Sequence, residues 1–144
     1  ARPSLAAMQP ITFALRLEGR AVQLDGDRYW AETRQRPAEL DGIGGGGASC
    51  RRSLELWDDG SLVQSGELDF GGGDGVTFRA RGVLGEGQPG DPRHGTAVLE
   101  VTGGRGRLAG ARGYVTSNFL LAGDGGLTDH QLGVLFVETE ENER

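Results

Sequence analysis

Two polar side chains stand where strand alternation asks for apolar ones. In the run from Cys50 to Leu56, Arg52 shares a face with Cys50, Leu54 and Leu56; in the run from Leu62 to Phe70, Gln64 shares a face with Leu62, Gly66, Leu68 and Phe70. Successive strand residues point to opposite faces, so the assignment holds as long as no bulge shifts the register. Either both residues stand near the ends of their strands, where an arginine snorkels to water, or both are interior. An interior pair needs partners, because an unpaired buried charge is very costly. The carbonyl or enolate oxygen of a ligand would be such a partner. Arg52 and Gln64 are therefore the candidate catalytic residues, each as a hydrogen-bond donor to a substrate oxygen.

Other chemistries fit the residues less well. All 15 basic residues are arginine, so lysine-base and Schiff-base mechanisms are excluded. No Gly-x-Ser-x-Gly elbow is present for a serine hydrolase. Glu67 and Asp69 share an outward face, where they read as solvated rather than as a glycosidase pair. His130 follows Asp129, but neighbouring strand residues diverge, so His130 reads as a structural histidine or a general acid or base near a pocket mouth. Gly44 to Gly47 lacks the Gly-Lys-Ser/Thr and the following helix of a phosphate loop. His94 and His130 lie far apart and Cys50 is alone, so neither a metal, a cofactor nor an intramolecular disulfide is expected. A net charge of −6 argues against nucleic acid. No apolar run reaches membrane-spanning length, and a cytoplasmic location is the default expectation.

The elements that must position these side chains are strands. The chain has 144 residues, enough for one core, and its 27 glycines fall mostly where strands would turn. Ile11 to Glu18 alternates cleanly, Gly19 marks a bend, and Val22 and Leu24 continue it. Arg28 to Arg34 suits a short strand, with a helix as the alternative. Ala48–Trp57 and Ser61–Phe70 flank Asp58-Asp59-Gly60, a strong hairpin signal. Gly75–Leu84, Thr96–Thr102, Tyr114–Leu121 and Leu127–Val137 complete eight strands at hairpin spacing. Sequential hairpins favour an all-β, eight-stranded antiparallel up-and-down barrel over residues 11–138, with a two-sheet sandwich as runner-up. Residues 1–10 read as a flexible tail or a lid, and 139–144 as an acidic tail. The last strand is apolar on both faces, which predicts a homodimer.

The segment Gly103-Gly-Arg-Gly-Arg-Leu-Ala-Gly-Ala-Arg-Gly-Tyr114 resembles the GGTGxFxGARGY stretch of dirigent and allene oxide cyclase-like barrels. It departs at Arg105, where threonine is usual. The resemblance implies a barrel that steers a reactive, mostly apolar intermediate. In particular, the chain is similar to small bacterial β-barrel cyclases of polyketide and antibiotic biosynthesis. These Diels–Alderases catalyse intramolecular [4+2] cycloaddition without a cofactor. Such chemistry asks for a shaped hydrophobic pocket holding diene and dienophile together. The expected lining is Phe13, Leu15, Leu54, Leu56, Phe78, Phe119 and Phe136, with Tyr29, Trp30 and His130 nearer the mouth. A non-catalytic carrier and a dirigent-like protein orienting an intermediate made elsewhere are the alternatives.

Overall fold

A computed structural model of the chain describes residues 8–35 and 47–138. Eight strands follow in order: β1 (Met8–Asp25), β2 (Arg28–Gln35), β3 (Ser49–Leu56), β4 (Ser61–Gly71), β5 (Asp74–Leu84), β6 (Arg93–Arg105), β7 (Arg112–Leu121) and β8 (Gly126–Glu138). Each pairs antiparallel with its sequence neighbours, and β1 pairs with β8, so the sheet closes into the expected barrel. Closure leaves no unpaired edge. No helix among the described residues is long and apolar enough to cross a membrane.

The first strand is longer than alternation suggests. Met8, Gln9 and Pro10 pair with Glu138, Val137 and Phe136, so these three residues belong to the barrel wall. The rest of the proposed lid, residues 1–7, lies outside the described residues, as do 139–144 and Gly44 to Gly46 of the glycine run. The strand runs unbroken through Gly19, where a Cβ would overlap the Glu32 carbonyl oxygen of β2. Glycine there permits close approach of two backbones; the register shift itself comes later, between Gln23 and Asp25. Arg28 to Gln35 is a strand, not a helix.

The barrel has one packed end and one hollow end. At the packed end Leu17, Leu68, Val76, Leu99, Val115 and Leu135 have no exposed surface. The family-like segment seals this end. After β6, a single 3-10 turn (Gly106–Leu108) drives Leu108 into the core, and Ala111 follows it. Its glycines are required locally: Gly106 and Gly110 have φ of +65° and +76°, a region glycine enters without steric penalty. Asp74 fixes the turn by accepting from the Arg107 backbone N–H at 2.9 Å and its Nε at 2.8 Å. Arg105, at the position that departs from the usual threonine, reaches Asp69 at 3.1 Å and Glu67 at 3.4 Å.

Candidate binding site

The hollow end is ringed by the starts of β2, β4, β6 and β8 and the ends of the other four strands. A chamber of about 40 Å³ opens there, walled by Ala21, Ala31, Leu54, Leu56, Leu62, Leu84, Phe119, Leu121 and Leu127. Tyr29 and Arg93 stand at its mouth and Arg52 lies deeper, towards the packed core. Phe119 keeps its place because its ring occupies the space where Gly95 of β6 has no side chain.

Arg52 is interior after all, 1% exposed, and room for it comes from its strand neighbours. Ala31 on β2 and Gly66 on β4 are its register partners, and neither fills the space beside it. The guanidinium crosses the barrel. Its Nη2 donates to Asp129 Oδ2 at 2.6 Å and its Nη1 to Gln64 Oε1 at 3.1 Å, with Ser117 Oγ at 3.5 Å. Asp129 also accepts from Ser117 Oγ at 2.8 Å and from Gln131 Nε2 at 2.8 Å. The cation lies 5.5 Å from the Phe119 ring centroid, within cation–π range.

Burial disfavours the Arg52 charge, yet neighbouring Cys50 and Asp129 and the Asp129 hydrogen bond hold its pKa above the ordinary arginine value. Burial also pushes the Cys50 thiol up, so that group stays protonated near neutral pH. The Asp129 carboxylate is therefore the partner that matters. The network is nonetheless incomplete: Arg52 Nε, Gln64 Nε2 and Gln131 Oε1 are buried without a hydrogen-bond partner. Of the network residues, Arg52 alone lines the chamber. The walls can take a small apolar group, and Arg52 is the charged side chain at their inner end.

The structure divides the expected site residues into four groups. Leu54, Leu56, Phe119, Tyr29 and Arg52 meet at the chamber. Gln64 is buried but sits behind Arg52, holding it rather than facing the chamber. Phe13, Leu15 and Phe78 are buried in the packed end; Phe13 stands edge-on to Phe70 at 5.2 Å and fills the space left by Gly133. Trp30, His130 and Phe136 do not face the interior. Trp30 donates to Glu32 on the outer surface at 3.0 Å, His130 is exposed, and Phe136 borders a groove outside the barrel.

The errors at His130 and Phe136 share one cause, the phase of β8; Trp30 lies on β2, on the face opposite Ala31. Taking His130 and Phe136 as inward puts the even-numbered face of β8 inside, which is the wrong set. The observed pairs are Phe119 with Asp129, Ser117 with Gln131 and Val115 with Gly133. Asp129 and Gln131 were missed as functional residues for that reason, and with them the partner of Ser117 on β7. The turn held the signal, since Leu121 faces Leu127 across it and odd numbers therefore oppose odd numbers.

One solved structure follows this barrel over nearly its whole length: a pterocarpan synthase dirigent protein, with a TM-score of 0.65, covering 96% of this chain and 94% of that one. The fold is that of a dirigent barrel. At 11% sequence identity the likeness extends to the fold alone. No protein-family model and no curated protein sequence matches the chain. Within the dirigent-like barrel the segment from Gly103 to Tyr114, which carried the resemblance in sequence, is the plug of the packed end and stands away from the chamber.

Proposed function

We propose that this dirigent-like barrel binds a reactive, mostly apolar small molecule through a carbonyl or enolate oxygen and fixes the geometry in which it reacts. One observation carries the reading: a fully buried guanidinium, with Nε unpartnered, at the bottom of an otherwise apolar chamber. A preorganised donor in a site of low dielectric interacts far more strongly with developing negative charge than one in water. The dirigent fold of the solved neighbour supports the same reading, since that protein is described as a dirigent protein and a synthase.

Catalysis of [4+2] ring closure is the second reading, favoured specifically by Arg52, because a donor on a dienophile carbonyl lowers the barrier as well as orienting it. A chamber of about 40 Å³ is too small to enclose a whole polyketide, so that reading requires much of the substrate to lie outside it.

Two measurements test these proposals. Titration with pentane-2,4-dione, an unbranched enolisable diketone whose acetyl end is a head of a few atoms, should give saturable binding that Arg52→Gln weakens at least about tenfold, the loss of one charge-assisted hydrogen bond. Equal binding by both proteins would remove the donor role. A linear diene–dienophile precursor separates the two readings: cyclisation no faster than background excludes the enzyme and leaves orientation or carriage.

A further inference from the structure

The chamber is not isolated. A groove of about 490 Å³ lies on one side of the mouth, lined by Asp58, Asp59, Gly60 and Glu86 among others, and one of about 460 Å³ on the other, lined by Gln23, Asp91, Gly123 and Asp124 among others. Two residues line the chamber and both grooves: Tyr29 and Arg93. They come from β2 and β6, opposite staves of an eight-stranded barrel, so their side chains converge over the mouth. Arg93 is lightly held. Its Nε donates to the Gly85 carbonyl at 2.9 Å, and no ion pair among the described residues includes it.

We propose that chamber and grooves form one T-shaped site for an unbranched ligand with a carbonyl head and a neutral chain. This rests on the reading that Arg52 takes the ligand oxygen. The sizes decide the shape. A chamber of about 40 Å³ is only a few times the ~10–15 Å³ of cavity that holds one water. Pockets that enclose a whole drug-sized ligand run to roughly 300–1,000 Å³. Only a head of a few atoms enters the chamber, and the unbranched body turns at the mouth into one groove or the other, moving Arg93 aside. Charge decides the chemistry of the body. The grooves present Asp27, Asp58, Asp59 and Glu86 on one side and Asp91 and Asp124 on the other, against Arg93 between them and Arg20 beside Asp124. That field repels an anionic chain.

The test compares 2-butanone with 2-nonanone, which share the head and differ in the chain, by nitrogen-15 NMR titration of the whole protein. Both should shift the amides of Ala31, Arg52 and Phe119; 2-nonanone should also shift Gly60 or Gly123 and bind more tightly. Gly123 has an ordinary φ and open space where a side chain would stand, so Gly123→Trp fills one groove without strain. Tryptophan in the groove whose amide 2-nonanone shifts, Gly123→Trp or Glu86→Trp, should weaken 2-nonanone about tenfold, the effect of losing about two buried methylenes, and leave 2-butanone unchanged. If 2-nonanone shifts only chamber amides, or Gly123→Trp and Glu86→Trp both leave its affinity intact, the T-shaped site is wrong while the Arg52 chamber stands. If neither ketone shifts the chamber amides, the Arg52 reading fails, and the T-shaped site fails with it.

Discussion

Removing the Asp129 carboxylate would strand the Arg52 guanidinium in a site that is 1% exposed. Breaking one half of a buried ion pair typically costs about 3–5 kcal/mol, because the survivor stays desolvated and unpaired. Asp129→Ala should therefore lower stability by about that amount in urea denaturation. Replacing both partners, as Arg52→Met with Asp129→Leu, should bring stability back to within about 1–2 kcal/mol of wild type while abolishing binding of oxygen acceptors. The contrast separates a structural pair from a functional one. An equally unstable double variant would mean that the barrel interior depends on the charges themselves. Gln64 belongs to the same calculation: it was legible as an interior polar residue, but its role is to accept from Arg52, a relation across two strands that alternation along one strand cannot reveal.

At the scale of elements, the packed end depends on a carboxylate. The Arg107 side-chain and backbone hydrogen bonds hold the Asp74 pKa below its ordinary value of 3.8. A carboxylate depressed by folding stabilises the fold fully above its unfolded pKa, and that stabilisation is lost as pH falls through the folded value. The plug from Gly106 to Leu108 should loosen below about pH 3.8 and stay intact above it. Thermal unfolding of wild type and Asp74→Asn against pH should converge at low pH and separate above it; parallel curves would exclude this carboxylate. Strands β3 to β5 were readable residue by residue because short hairpins kept them in phase: Leu54, Leu62, Val76 and Phe78 all face inward as alternation requires. Strand β8 was not, because Leu132, Val134 and Phe136 on one face and Leu135 and Val137 on the other are equally apolar. Hydrophobicity then carries no phase, and only the pairing across the preceding turn fixes it.

At the scale of the whole molecule, that ambiguity becomes a surface. Leu132, Tyr114 and Val134 are 65%, 58% and 41% exposed on the outside of β7 and β8 and border an open groove of about 710 Å³. The proposal that a second copy covers this face predicts concentration-dependent association in sedimentation velocity, lost in Leu132→Glu. Association unchanged by that substitution would place the contact elsewhere, and a monomer at all concentrations would end the proposal. The barrel itself was legible as a count of hairpins; its division into a filled half and a hollow half was not, because it depends on where Leu108 and Phe119 point rather than on their being apolar. Phe119 also gives the hollow half a clock. With its ring seated against the backbone of Gly95, a half-turn of that ring needs the packing around it to open for a moment. The frequency of those half-turns therefore reports how often the wall between β6 and β7 loosens, independently of traffic through the mouth.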